Sequence, residues 1–182
     1  MSSYQRRLPH WHPDGQPLFL TWRLKGSLPP NRFFPAGSLS AGKTFLAMDR
    51  LLDHARTGPL YLARPEIASV VVQAILDGRD NLHHYSLHAF VVMANHVHLL
   101  ITPKAPVPKR LQWLKGTTAR RAFWQEESYD RWVREERQFG RIQAYIEENP
   151  VRAGLTGTPE DYVWSSASRG FGRGAGLKPG AA

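Results

Sequence analysis

Residues 88–103 read His-Ala-Phe-Val-Val-Met-Ala-Asn-His-Val-His-Leu-Leu-Ile-Thr-Pro, and they restrict the fold more than any other part of the chain. Two β-rich apolar runs flank a short turn at Met93-Ala94-Asn95. The pattern predicts a hairpin of strands over Tyr85–Val92 and His96–Thr102. Side chains alternate along a strand, so His96 and His98 share one face while Val97, Leu99 and Ile101 share the other. Their Cα atoms lie roughly 6.6–7 Å apart. Two imidazoles at that spacing can converge on one metal ion. A half-exposed strand that merely carries two histidines has the same spacing. His10-x-His12 provides a control, because it repeats the spacing in a Pro-rich lead-in without strand pattern and reads as a surface pair. His83, His84 and His88 have no matching partners and read as structural.

The rest of the chain supplies elements to pack on this hairpin. Met1–Gln16 is punctuated by Pro9, Pro13 and Gly15 and reads as an irregular lead-in. Leu18–Leu24 reads as a strand, and Gly26–Gly42 as a loop. Thr44–Ala55 places Phe45, Leu46, Met48, Leu51 and Leu52 at helical spacing and stops at Gly58-Pro59. A second helix starts at Pro65, buries Ile67, Val70, Val71, Ala74 and Ile75, and ends at Gly78. Lys109–Trp124 reads as a helix, Ser128–Arg134 as a short strand, and Gln138–Asn149 as a helix closed by Pro150. There is no internal repeat. The order predicts an α+β fold with helices on a mainly antiparallel sheet, as one domain over residues 1–168. Residues 169–182, rich in Gly and Ala, are expected to be a disordered tail.

A second constellation is Tyr145-Ile146-Glu147-Glu148-Asn149-Pro150. Tyr145 and Asn149 are i and i+4, one helical turn apart on one face. Alone, the tyrosine suits the edge of the Phe139/Ile142/Ile146 stripe, and the asparagine suits a helix end. Beside His96 and His98 they suggest chemistry. A phenol is a weak nucleophile at neutral pH, since its ordinary pKa is about 10. A metal that polarises a phosphodiester lowers the demand on the attacking oxygen.

Charge adds a partner. The 182 residues carry 24 Lys plus Arg against 15 Asp plus Glu, a formal net charge of +9, and 18 of the cations are Arg. Such a surplus suits forked contacts to phosphates, so nucleic acid is the simplest polyanion to expect. Lys109, Arg110, Lys115, Arg120, Arg121, Arg131, Arg134, Arg137 and Arg141 crowd the stretch between the paired histidines and Tyr145. Trp113, Phe123, Trp124, Tyr129 and Trp132 interleave with them. Cations with stacking aromatics are what single-stranded binding requires, although a solvated helix face over core aromatics has the same composition. The absence of Cys excludes disulfide scaffolds, zinc ribbons and thiol catalysis, and suits a reducing cytoplasm. The longest apolar run, Ala89–Ala94, is too short to span a membrane, and the polar, basic N-terminus has no signal-peptide pattern.

His-hydrophobic-His-Leu-Leu, followed downstream by Tyr-Ile-x-x-Asn-Pro-Val, resembles the HUH single-tyrosine transposases, and among them the REP-associated tyrosine transposases. Pro17–Leu24, His88–Pro103, Leu114–Arg121, Tyr129–Glu135 and Tyr145–Leu155 resemble that family's blocks in order. Ala94 departs where the family often has Pro. The resemblance implies a ferredoxin-like fold of the RNA-recognition-motif type. It implies Mg²⁺ or Mn²⁺ held by His96, His98 and Asn149. It implies attack by Tyr145 on single-stranded, hairpin-containing DNA, giving a 5′-phosphotyrosyl enzyme and a free 3′-hydroxyl. The DNA would lie on Lys109, Arg110, Lys115, Arg120, Arg121, Arg131, Arg134 and Arg141. Monomer and homodimer both remain open, as does the choice between an active enzyme, a domesticated hairpin-binding protein and a phosphodiesterase with a water nucleophile.

One rival motif needs separating. Gly37-Ser38-Leu39-Ser40-Ala41-Gly42-Lys43-Thr44 matches the Walker A pattern. A P-loop needs a buried strand before it, and Pro29-Pro30-Asn31-Arg32-Phe33-Phe34-Pro35 cannot supply one. The strand–helix alternations are also too few for a parallel sheet. No nucleotide cofactor is expected.

Overall fold

A computed structural model of the chain describes residues 2–5, 9–12, 15–28, 41–56, 58–104, 107–119, 123–125 and 128–171. The four strands of the main sheet are β3 (Leu18–Arg23), β4 (Tyr85–Val92), β5 (His96–Pro103) and β6 (Tyr129–Trp132), in the spatial order β4-β5-β3-β6. Every pairing is antiparallel. The expected hairpin is present, with His96–Pro103 one residue longer than its reading. Two short strands, β1 (Ser2–Gln5) and β2 (Pro9–His12), pair with each other where an irregular lead-in was expected. Their register runs from Ser2 opposite His12 to Gln5 opposite Pro9, which places the proline at a strand's first residue, where a missing N–H is tolerated.

Strand alternation divides the sheet into two faces with different cores. Leu18, Leu20 and Trp22 of β3, with Leu24 just past its end, join Val97, Leu99 and Ile101 of β5 on one face. There they bury the apolar stripe of α2 (Pro65–Asp80) and that of α3 (Val107–Thr118). Phe19 and Leu100 face the other way, with Phe45, Val133 and Ile146. That second face also carries Thr21 and His98, which are opposite each other in register, and His96, which is opposite Arg23. It is covered by α1 (Ala41–Asp53) and α4 (Glu136–Glu147), the latter followed by a short α5 (Asn149–Arg152). No helix among the described residues is long and apolar enough to cross a membrane.

Several boundaries differ from the sequence reading for local reasons. α2 runs through Gly78 to Asp80. Gly78 is a close-approach residue rather than a stop: a Cβ there would collide with the Tyr85 phenol, whose hydroxyl donates to the Ile75 carbonyl at 2.8 Å. α3 ends at Thr118, not Trp124, because the Thr118 hydroxyl turns back to the Leu114 carbonyl and accepts the Trp124 indole N–H at 2.8 Å. Trp124 instead bridges to Leu24. Asn149 does not end the tyrosine helix, since α4 stops at Glu147 and Asn149 begins α5. Pro150 therefore serves a first turn, where its missing N–H costs nothing.

Residues 169–171, expected to lie in the tail, are described, and Phe171 is buried against Phe90 with ring centroids 5.1 Å apart. Residues 172–182 lie outside the described residues, as do Arg120, Arg121 and residues 37–40 of the Walker-like stretch. The histidines read as structural behave so: His84 accepts from Arg110 at 2.8 Å, and His88 bonds the Thr102 hydroxyl at 2.8 Å.

Glycine substitutions test the packing assignment. Gly78→Ala is expected to lower stability by about 1–3 kcal/mol, as overpacking does. Gly116→Ala and Gly140→Ala, where a Cβ meets nothing within 4 Å, are expected to be neutral or to stabilise by up to about 1 kcal/mol. Chemical denaturation of the three variants provides the comparison.

Candidate metal centre and tyrosine

His98 and His96 come from β5, where the β3 register fixes their depth; both are fully buried. The Thr21 hydroxyl, directly opposite, bonds His98 Nδ1 at 2.7 Å. His96 Nδ1 meets Asn95 Oδ1 at 2.6 Å, and the Asn95 amide nitrogen donates to the Leu52 carbonyl at 3.0 Å. The amide oxygen must therefore accept, which puts the His96 proton on Nδ1 and leaves the lone pair on Nε2. Both rings are oriented by a second group, as metal-binding imidazoles usually are.

The Nε2 atoms face two carboxylates from α1. Asp49 Oδ1 lies 3.1 Å from His98 Nε2 and 3.6 Å from His96 Nε2, and Asp53 Oδ1 lies 3.6 Å from His96 Nε2. Asp49 is i+4 from Phe45 and Asp53 is i+4 from Asp49, so all three point at the sheet. Phe45 anchors that face edge-on against Phe19, centroids 5.4 Å apart, and stacks on Tyr129 at 4.4 Å. Neither aspartate was picked out by sequence reasoning, which followed the apolar residues of this helix. The signal was present: Asp49 sits within the inward stripe between Phe45 and Leu52, where an acidic side chain needs a partner.

Tyr145 and Asn149 complete the group. The Tyr145 hydroxyl donates to Asp49 Oδ2. The Asn149 amide nitrogen lies 3.4 Å from both Asp49 Oδ2 and His98 Nε2. Arg152 from α5 stands over the Tyr145 ring, 4.0 Å from its centroid, and donates to the Tyr145 carbonyl at 2.8 Å. The four residues expected to form the site from sequence thus come together, and Asp49 links them.

Electrostatics show what the cluster lacks. Burial pushes the Asp49 carboxyl up, but His98, His96 and the Tyr145 hydroxyl outweigh it and hold the group below the usual carboxylate range. Burial, then the Asp49 charge, raise Asp53 to about 7. Burial and the neighbouring His98 lower His96 to about 3, so its imidazole is neutral. Burial, then Asp49, push the Tyr145 phenol well above its ordinary value, with Arg152 opposing. Among the described residues, Asp49 Oδ1, Asp53 Oδ1, His96 Nε2 and Asn149 Oδ1 are buried without a hydrogen-bond partner. Orphaned lone pairs so close together are costly unless a cation joins them. The ligating atoms of Asp49, His96 and His98 all lie within 4.8 Å of one another, so this group could hold a metal ion. Imidazole and carboxylate ligands suit a divalent first-row metal or Mg²⁺.

Among the described residues, the cations expected to hold DNA do not form one surface. Arg131 of β6 and Arg141 of α4 line a cleft beside Tyr145. Arg110 and Lys115 belong to α3, which packs on the opposite face; Arg110 is bonded to His84, and Lys115 donates to the Gln125 carbonyl at 3.0 Å. Lys109 is exposed on that same helix. Arg134 lies over the Trp132 ring at 4.3 Å, and Trp132 packs against the α2/α3 core.

An antiparallel sheet with a buried carboxylate–imidazole cluster and a tyrosine hydroxyl on its rim defines an α+β protein with a metal-capable, tyrosine-bearing site. The family model "Transposase IS200 like" matches residues 65–149, a span that includes the paired histidines and Tyr145 and ends at Asn149. Over that span the chain is similar to the IS200-like transposases. A REP-associated tyrosine transposase, solved bound to a REP hairpin, shares the fold: 20% identity, TM-score 0.60, covering 98% of this chain and 89% of that one. A proposed transposase from Deinococcus radiodurans matches at 20% identity and TM-score 0.41, covering 79% of this chain and 98% of its own. No curated protein matches the chain. Asp49 and Asp53 precede the family-matched span.

The raised Asp53 carboxyl gives a pH test on metal-free protein. Its folded value of about 7 lies above the ordinary aspartate value, so its contribution to stability is full below about pH 4 and is lost as pH rises towards 7. Asp53→Asn removes that loss. The variant is therefore expected to gain stability relative to wild type between pH 4 and 7, read from paired denaturant melts in chelator. A difference independent of pH would contradict the assignment.

Proposed function

We propose that this protein is a metal-dependent single-tyrosine transposase that cleaves and rejoins single-stranded DNA carrying a hairpin. The observation that carries the reading is the shared Asp49 carboxylate, with one oxygen facing the two imidazoles and the other accepting the Tyr145 hydroxyl proton. A nucleophile and a metal-capable cluster are thereby held on one group. The hairpin follows from the REP hairpin bound by the structural relative and from the motif resemblance.

Asp49, His96 and His98 would hold Mg²⁺ or Mn²⁺, with Asp53 and the Asn149 oxygen completing the set. The ion would supply Lewis-acid polarisation of the phosphodiester. The chain's own groups do the rest. Tyr145 Oη bonds to phosphorus as the P–O3′ bond breaks. The phenol proton passes to Asp49 Oδ2, and the departing 3′-oxygen takes up a proton, so one proton moves in net from phenol to 3′-hydroxyl. Arg152, over the ring, favours the phenolate form and fixes the ring's plane. One phosphodiester replaces another, so the reverse attack by a 3′-hydroxyl rejoins a strand without nucleotide hydrolysis.

The test is a denaturant-stable protein–DNA adduct formed from labelled hairpin oligonucleotides with Mn²⁺. Wild type is expected to form it, and Tyr145→Phe to form none. Asp49→Asn is expected to reduce the rate at least 100-fold, in line with loss of a positioned proton acceptor. Cleavage that persists in Tyr145→Phe would establish a water nucleophile instead. Tight binding of many hairpins without cleavage would establish a binding protein.

A further inference from the structure

Beside Tyr145 the structure has a cleft of about 470 Å³, lined by neither His96 nor His98, that the proposed chemistry does not yet use. Its size is that of a small-ligand site. Three cations line it from three different elements: Lys43 of α1, Arg131 of β6 and Arg141 of α4. Phe45 and Tyr129, stacked 24° from parallel, line it too, and Tyr145 itself completes the wall. Arg131 and Arg141 are exposed at its mouth, while Phe45 is buried. Cations that track a backbone beside aromatic surfaces that stack bases are the chemistry of a single-stranded nucleotide site.

We infer that this cleft holds the nucleotide that stays covalently attached to Tyr145, the first residue of the strand on the 3′ side of the break. The inference rests on the tyrosine-nucleophile reading. In an in-line displacement the leaving oxygen departs opposite the attacking one. The Tyr145 O–H bond donates to Asp49, so phosphorus meets Oη on a lone pair turned away from that carboxylate. The retained strand stays bonded to the phenol and runs along it, and the cleft walled by that same ring is the space there. Lys43, near the end of the Walker-like stretch, then serves a strand phosphate and not a nucleoside triphosphate.

The probe is a mixed-sequence single-stranded hexanucleotide with a 5′-phosphate, labelled at its 3′ end, together with its 5′-hydroxyl counterpart. Both are titrated into Tyr145→Phe protein with Mn²⁺, where no adduct can form. The 5′-phosphorylated strand is expected to bind about tenfold more tightly. Arg131→Gln with Arg141→Gln is expected to weaken its binding at least tenfold, whereas Arg64→Gln, exposed at the start of α2 on the opposite face, leaves it unchanged. Equal binding of the two strands, or a double variant that binds like its parent, would overturn the inference. Adduct formation by wild type is measured separately. If that fails while the 5′-phosphate preference and its loss in the double variant persist, the cleavage reading falls and the nucleotide site stands.

Discussion

A buried carboxylate must find positive charge or hydrogen-bond donors, and most of the second sheet face is arranged around one that does. Asp49 is 1% exposed. Its two oxygens look in different directions, one to His98 and His96 and the other to Tyr145. Removing it would disconnect three elements: the α1 helix that supplies it, the β5 strand beneath it and the α4 helix beside it. The imidazoles depend on it in turn, because the Asn95 bond fixes the His96 tautomer and points an Nε2 lone pair at acidic oxygens. Two lone-pair donors facing each other in a dry interior form an arrangement that a cation stabilises.

The two faces of the sheet divide the work. One buries aliphatic side chains against α2 and α3 and provides an ordinary hydrophobic core. The other sets aromatic rings around polar groups: Phe19, Phe45 and Tyr129 pack about His98 and Tyr145 with centroids 4.4–6.3 Å apart. These rings exclude water from the cluster, which strengthens its electrostatics. They also hold the phenol in place. Because strand alternation couples the faces, a one-residue slip of β5 against β3 would bury the histidines in the aliphatic core and expose Leu99. The fold's register and the site's geometry are one constraint.

Much of this was legible in the chain. The alternation His96-Val97-His98-Leu99 within an apolar, β-rich run announced both the strand and the facing histidines. The i,i+4 spacing of Tyr145 and Asn149 survives in the structure although a helix break falls between them, since Glu148 keeps right-handed helical backbone angles (φ −83°, ψ −8°) across it. Asp49 and Asp53 were missed for a physical reason: in an amphipathic helix an acid reads as the solvent side, and only a partner distant in sequence reveals that it points inward. The basic residues misled similarly. Charge counted along the chain says nothing about which face of the sheet a helix covers, so Arg110 and Lys115 joined Arg131 and Arg141 in sequence but not in space. The end of α3 was overextended because Trp124's partner, Leu24, lies about a hundred residues away.

We propose that Asp49, His96 and His98 form a divalent-cation site shared with Tyr145. Titration of chelator-treated protein with Mn²⁺, followed by electron paramagnetic resonance of the free ion, tests it most directly. One tight Mn²⁺ per chain is the predicted result, with affinity reduced at least tenfold in Asp49→Ala and in His98→Ala and unchanged in Lys109→Ala. Absence of a stoichiometric site, or one that survives loss of Asp49 and of His98, would contradict it.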